Sequence, residues 1–183
     1  MVIVAALVGG GLYYRSRPAR QLTEKDTIVL ADFANTTGDT VFDGTLKQAL
    51  AIQLEQSPLL NVLSDEKVNG TLRLMNRPAN ERVSQDVARE ICLRTDSKAL
   101  IAGSIANVGN NHYLVGLKAL NCQTADTLQS AECEAENRDK LLKALEEAGN
   151  RLREKMGESL ASVRRFNKPL EQATTSSLEA LKA

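Results

Sequence analysis

The sequence predicts an α/β (α+β) protein in which a mixed sheet of about five strands is packed by helices. Two observations predict this class. In the first half of the chain, apolar runs alternate with helical periodicities, which favours parallel pairing of the strands. In the second half, strands follow one another across short polar turns, which favours antiparallel hairpins. The predicted element order is therefore β-α-β-α-α-β-β-β-α.

The first half of the chain supplies two strands and three helices. Residues 27–33 (TIVLADF) are apolar on both faces, as in a central strand that is covered on two sides. Leucines four residues apart predict an amphipathic helix over 45–56, and 59–63 is a short strand. Asp65 is expected to cap a helix that ends near residue 75, and apolar spacing over 83–92 marks the next helix.

The second half supplies three strands and a helix. Residues 99–108 are apolar, and a Gly-Asn-Asn turn at 109–111 joins them to the alternating residues 113–119, so the pair predicts a hairpin. A second turn leads into a weaker strand over 127–135. Apolar residues then recur at spacings of three and four over 141–163, which predicts one long helix against the sheet.

The composition excludes several classes of function. The chain has 183 residues, with 23 Lys and Arg against 23 Asp and Glu and no basic stripe, so a nucleic-acid partner is not expected. It has no Trp and only three Phe and three Tyr, so an aromatic stacking platform is not expected either. About 150 residues remain after the unusual N-terminus, which is enough for one domain with an aliphatic core.

Both ends of the chain differ from the central part. Residues 2–14 are apolar and precede three arginines, so we expect 1–15 to be a truncated transmembrane helix and 16–26 a linker. A buried helix or strand is the alternative for the same residues. The arginines favour a cytoplasmic side by the positive-inside rule. The α/β domain is predicted over 27–166, and 167–183 is expected to be a linker and the start of a following helical region.

The segment ADFANTTGD, residues 31–39, follows the first predicted strand. Asp32, Asn35, Thr37 and Asp39 are candidate ligand-binding residues, because α/β sheets bind ligands at the carboxyl ends of their strands. The segment lacks the glycine-lysine pattern of a phosphate loop. A turn followed by a helix cap at Asp43 is the alternative interpretation. A catalytic site would require the three aspartates of 32–43 to converge.

Histidine and cysteine provide no metal or catalytic pattern. His112, the only histidine, is expected to be a solvent-facing residue at the start of a strand. Cys92, Cys122 and Cys133 lack the spacing of a zinc site. A Cys92–Cys122 disulfide would close a loop of about 30 residues, while three reduced thiols in the core remain the alternative.

Two stretches carry a resemblance to a known family: TIVLADFANTTGDTVFDGTLKQALAIQLEQSP and VAREICLRTDSKALIAGSIANVGNNHYLVGLKALNCQTADTL. They resemble the TolB N-terminal-like domain, as found after the transmembrane helix of acidobacterial membrane-anchored serine/threonine protein kinases and before their tetratricopeptide repeats. The resemblance covers about residues 22–183. The Gly-rich, HRD and DFG motifs of the kinase itself are absent, so neither catalytic residues nor a cofactor are implied.

The resemblance implies a non-catalytic sensory or protein-interaction module that binds an envelope ligand or a protein partner and is anchored by the N-terminal helix. It also implies an extracytoplasmic location, which conflicts with the cytoplasmic side indicated by the three arginines. An extracytoplasmic location would favour formation of the Cys92–Cys122 disulfide. The alternative is an envelope docking module that acts through helix contacts or through a sheet edge, for which 127–135 is the best candidate. An enzyme built on the aspartates of 32–43 is the third interpretation.

Overall fold

The computed structural model describes residues 26–170. This part of the chain contains six strands, five α-helices and a 3-10 helix at Arg138–Lys140. The strands are β1 (Asp26–Leu30), β2 (Ala34–Asn35), β3 (Leu60–Val62), β4 (Ala99–Gly109), β5 (His112–Asn121) and β6 (Thr127–Ala135). The helices are α1 (Phe42–Glu55), α2 (Asp65–Leu74), α3 (Gln85–Arg94), α4 (Leu141–Lys155) and α5 (Leu160–Phe166).

The sheet is mixed, as predicted. Its strand order is β3-β1-β4-β5-β6, and β2 pairs with β4 beyond the end of β1. β1 runs parallel to β3 and to β4, whereas β4, β5 and β6 are antiparallel neighbours. β2 was not predicted. It is a two-residue strand, and Thr36 extends the pairing by donating a backbone hydrogen bond of 3.0 Å to Ile105.

Helices cover the sheet on both faces. The first core lies between the sheet and helices α1 and α4, and the second lies between the sheet and helices α2 and α3. β1 and the residue after it contribute to both, because Ile28 and Leu30 belong to the first core while Val29 and Ala31 belong to the second. The two-sided burial predicted from TIVLADF is therefore confirmed, but the strand ends at Leu30 and not at Phe33.

A glycine in β4 makes room for an aromatic ring. Phe33 is buried in the first core, and a Cβ atom built on Gly103 would lie 2.5 Å from its ring. This distance is shorter than any carbon–carbon van der Waals contact, so position 103 requires glycine. The glycine of the IAGSI strand thus has a packing role.

The predicted single helix over 141–163 is wrong. Helix α4 ends at Lys155, and Gly157 adopts a φ of 110°, which a helix does not allow. Ser159 then caps α5 by accepting a hydrogen bond of 3.2 Å from the backbone of Ser162. The predicted cap at Asp65 is also wrong, because the N-cap of α2 is Ser64 and Asp65 lies in the first turn.

The break between α4 and α5 brings a carboxylate into the protein interior. Glu158 accepts hydrogen bonds of 2.8 and 2.7 Å from the guanidinium of Arg153, and both side chains are buried. Ser57 and Ser162 donate to the same carboxylate over 2.6 and 2.8 Å. Burial alone would raise the pKa of Glu158, but the hydrogen bonds from Arg153, Ser57 and Ser162 and the charge of Arg153 lower it below its ordinary value.

Cys92 of α3 and Cys122, just after β5, form a disulfide with their Cα atoms 5.9 Å apart. This bond lies in the second core and joins the end of a helix to the end of a strand. Cys133 of β6 is a free thiol in the first core. Burial raises the pKa of Cys133, which the nearby Arg151 only partly offsets.

The C-terminal side of α5 remains packed on the domain. Leu170 is buried, and Asn167 donates a hydrogen bond of 2.8 Å to Glu146 of α4. The predicted membrane helix at 1–15 and the predicted helical start after 170 lie outside the described residues. Between residues 26 and 170, no helix is both long and apolar enough to span a bilayer.

Replacing the buried carboxylate should destabilise the fold strongly. Glu158→Gln leaves the Arg153 charge buried without a counter-charge, and we expect the free energy of unfolding to fall by about 3 to 5 kcal/mol at pH 7. Glu147→Gln is the matched control, since its pair with Arg151 is half exposed and should contribute less than about 1 kcal/mol. Urea denaturation measures both variants.

The same variant should show a defined pH dependence. The folded-state pKa of Glu158 is lowered, so its contribution is present above the unfolded-state pKa and is lost as the pH falls through the folded value. The difference in the free energy of unfolding between the parent and Glu158→Gln should therefore become smaller below about pH 4. A difference that stays constant from pH 7 to pH 3 would contradict the assignment of Glu158 as a buried carboxylate.

Reducing the disulfide should destabilise the domain without unfolding its sheet. The bond joins residues separated by 30 positions. A loop of that length predicts a loss of about 3 to 4 kcal/mol on reduction. Urea denaturation with and without a thiol reductant measures the loss, and a Cys92→Ala/Cys122→Ala variant should be insensitive to the reductant. An equal response of parent and variant to the reductant would disprove the disulfide.

Candidate functional site

A cleft of about 580 Å³ lies at the carboxyl ends of β1 and β3. The chain leaves β1 toward α1 on the first face of the sheet, and it leaves β3 toward α2 on the second face. Because the two connections depart to opposite faces, a crevice opens between them, which is where open α/β sheets bind ligands. The residues that line it are Leu30, Asp32, Asp43, Gly44, Thr45, Lys47, Gln48, Ala51, Glu55, Val62, Leu63, Ser64, Asp65 and Val68.

The entry to α1 shapes one wall of the cleft. Asp43 has an extended ψ of 118° and Gly44 a φ of 81°, so the regular helix begins only at Thr45. Gly44 is required here because side chains disfavour this positive φ. Thr45 anchors the new helix by donating from its hydroxyl to the backbone oxygen of Val41 over 2.6 Å. Lys47 lies in the first turn of the regular helix that follows this kink, and its side chain reaches Asp32 just after β1.

An ion pair spans the inner end of the cleft. The ammonium of Lys47 lies 2.7 Å from Oδ1 of Asp32, and the two side chains are only 19% and 21% exposed. The second oxygen of Asp32 accepts a hydrogen bond of 2.7 Å from the backbone of Val83, and the backbone of Asp32 donates to the oxygen of Val83 over 2.8 Å. Asp32 thus binds α1 and the segment before α3 at the same time.

The other predicted ligand-binding residues lie in one loop and hydrogen-bond to one another. Oδ1 of Asn35 accepts hydrogen bonds from the backbone and the hydroxyl of Thr37, and its Nδ2 donates to the backbone oxygen of Asp39 and to the carboxylate of Asp43. The hydroxyl of Thr37 accepts from the backbone of Asp39 over 3.1 Å. None of Asn35, Thr37 and Asp39 is among the residues that line the cleft. The turn interpretation of this segment accounts for the side-chain contacts of Asn35 and Thr37, whereas Asp39 also contacts a residue outside the turn.

The three aspartates of the sequence-based enzyme hypothesis are not brought together. Asp32 and Asp43 line the cleft, whereas Asp39 forms a 3.0 Å ion pair with Arg138 near the start of α4. Asp43 was predicted to cap α1, but the N-cap is Val41 and the Asp43 carboxylate accepts from Asn35 over 3.0 Å. Within residues 26–170, no group of three His, Cys, Asp or Glu side chains is arranged to hold a metal ion.

Sequence analysis did not identify Lys47 or the residues that follow β3. Lys47 lies between Leu46 and Leu50, within the leucine spacing that was used only to predict a helix. Asp65 was considered only as a helix cap and Ser64 was not considered, although both follow a strand in the same way as Asp32. A search for polar residues at the ends of both predicted parallel strands would have found Asp32 and Asp65 together.

No protein-family profile matches this sequence, and the comparison with curated proteins gives no match. Solved structures share the fold at low sequence identity. The C-terminal domain of LpoB from Escherichia coli matches with a TM-score of 0.57 and 12% identity, over 68% of this chain and 93% of that one. A PelC dodecamer from Paraburkholderia phytofirmans matches with a TM-score of 0.50 and 12% identity, over 74% of this chain and 91% of that one.

TolB from Acinetobacter baumannii is also among the matching structures, with a TM-score of 0.44 and 15% identity, over 74% of this chain and 28% of that one. A TM-score at that level supports no argument by itself. The chain therefore shares the fold of the LpoB C-terminal domain, and the similarity goes no further than the fold.

Asn35 should be the residue on which the 35–43 loop depends most. Asn35→Ala removes four hydrogen bonds at once, so we expect a loss of about 2 to 4 kcal/mol in the free energy of unfolding. Asn61→Ala is the matched control, because the Asn61 side chain makes an exposed hydrogen bond to Thr27 and should contribute less than about 1 kcal/mol. Equal losses in the two variants would show that the Asn35 network does not hold the loop.

Proposed function

We propose that this chain is a non-catalytic binding module of a membrane-anchored bacterial signalling protein of the serine/threonine kinase type. The cleft between α1 and α2 receives an envelope ligand or a segment of a protein partner, and its occupancy is sensed by the attached protein. The observation that carries the proposal is the cleft itself, a crevice of about 580 Å³ at the switch point of the sheet, within the size range of ligand sites.

The half-buried carboxylate of the cleft, Asp32, supports binding rather than catalysis. Both carboxylate oxygens of Asp32 already have partners, Lys47 and the backbone of Val83. A general base would need a free oxygen within reach of a substrate proton, and a nucleophile would need an adjacent base. The ion pair at the inner end of the cleft instead fixes the position of α1 relative to β1.

An extracytoplasmic location is part of the proposal. The Cys92–Cys122 disulfide supports it, because such bonds persist in oxidising compartments. The family resemblance of the sequence supports the same location and the attachment to a kinase through an N-terminal membrane helix.

Docking through a sheet edge is the second candidate function. β6 is a nine-residue edge strand, as expected for 127–135. However, the backbone oxygens of Ser130 and Glu132 already accept hydrogen bonds from Lys155 and Arg151 of α4, over 2.6 and 3.2 Å. Cations along an edge strand protect it against pairing with another chain. The edge is therefore a weaker candidate than the cleft.

A fragment screen by ¹H–¹⁵N NMR tests the proposed site. We expect small amines, phosphates, carboxylates and sugars that bind to shift amide signals around the cleft, from Asp43 to Ala51 and from Val62 to Val68. Gln48→Trp places a large side chain at the rim and should abolish these shifts, whereas Gln85→Trp, at the start of α3, should leave them unchanged. Hits that collect along β6, or a cleft without hits, would disprove the proposal.

Removing the cations of α4 tests whether they prevent the edge strand β6 from pairing with another chain. We expect Arg151→Gln/Lys155→Gln to sediment as larger species with rising concentration, because two backbone acceptors of β6 become free to pair. The charge-matched control is Arg94→Gln/Lys98→Gln, which lies away from this edge. If the variant sediments like the parent, these cations do not prevent pairing of β6. Docking through the sheet edge would then gain support.

A further inference from the structure

We infer that the cleft takes the protonated amine of an aliphatic chain, the chemistry shared by a lysine side chain and a free alkyl diamine. The inference rests on the proposed function and adds the class of ligand to it. The cleft joins acidic side chains at its rim to an aliphatic inner surface, and the two features together select a cation that carries an apolar stem.

The charges of the cleft favour a cation. Its lining contains four carboxylates, those of Asp32, Asp43, Glu55 and Asp65, against the single ammonium of Lys47. At neutral pH this leaves three formal negative charges. Lys47 is already paired with Asp32 at 2.7 Å, so an incoming anion would have to displace a carboxylate to reach it.

The helix termini at the cleft do not reverse this preference. The regular part of α1 and the start of α2 both reach the cleft, and helix N-termini attract anions. Each terminus is equivalent to about half a positive charge, so the two together offset about one of the three negative charges. Switch-point crevices that bind phosphate rely on a glycine-rich loop that this sequence lacks.

The inner surface of the cleft suits an alkyl stem. Leu30, Leu63 and Val68 are buried and Val62 is half-buried, whereas Asp43 and Asp65 are exposed at the rim. An aliphatic chain can therefore contact the leucine and valine side chains while its ammonium stays near the carboxylates and water. Lysine side chains bury their methylene groups in this way while their ammonium stays solvated.

Three probes with five carbons each isolate the effect of the charge of the head group. NMR titrations with n-pentylamine, n-pentanol and n-pentanoate should rank them in that order, with shifts centred on the cleft. The double variant Asp43→Asn/Asp65→Asn should weaken the affinity for pentylamine by about fivefold to twentyfold, since each exposed carboxylate contributes up to about fivefold to that affinity. Asp86→Asn/Asp96→Asn, which removes two exposed carboxylates from another part of the surface, should leave the affinity unchanged.

The outcomes distinguish this inference from the function on which it rests. Pentanoate or inorganic phosphate binding the cleft more tightly than pentylamine would overturn the cation inference and keep the cleft as a binding site. Absence of all probes from the cleft would overturn both. If pentylamine binds as expected, 1,5-diaminopentane and Nα-acetyl-lysine amide identify the source of the amine. Tighter binding of the lysine amide indicates a peptide segment, and tighter binding of the diamine indicates a free polyamine.

Discussion

The structure depends on a single constraint, which is that β1 is buried on both faces and paired on both sides. Alternate residues of β1 enter two separate cores, and β3 and β4 flank it in parallel. Parallel neighbours need crossover connections, so α1 covers one face and α2 and α3 cover the other. The cleft follows from this arrangement, because the chain departs from β1 and β3 to opposite faces of the sheet.

The segment after β1 connects the central strand to the cleft. Asp32 reaches Lys47 and Val83, so it holds α1 and the segment before α3 against the end of the strand. The following residues make β2 and a loop around Asn35, and the kink at Gly44 then starts α1. The cleft is thus lined largely by helices α1 and α2, while the loop around Asn35 lies outside its lining and leads into α1.

The order of the elements could be predicted because side-chain periodicity reports burial, which is what forms strands and helices in this chain. β2 could not, because it is held by backbone bonds to β4 and has no pattern of its own. The break at Gly157 was overlooked because the apolar spacing continues across it. The sequence Gly-Glu-Ser nevertheless contains a glycine that can end one helix and a serine that can cap the next. The cleft depends on which faces the crossovers take, and periodicity alone does not specify those faces.

The two kinds of cysteine lie on opposite faces of the sheet. Cys92 and Cys122 belong to the second core and Cys133 to the first, so the sheet separates the free thiol from the disulfide. Exchange requires a thiolate to attack a disulfide sulfur directly, and burial raises the pKa of Cys133, which disfavours its thiolate. Cys133 can therefore attack the disulfide only when the sheet between the two cores is opened.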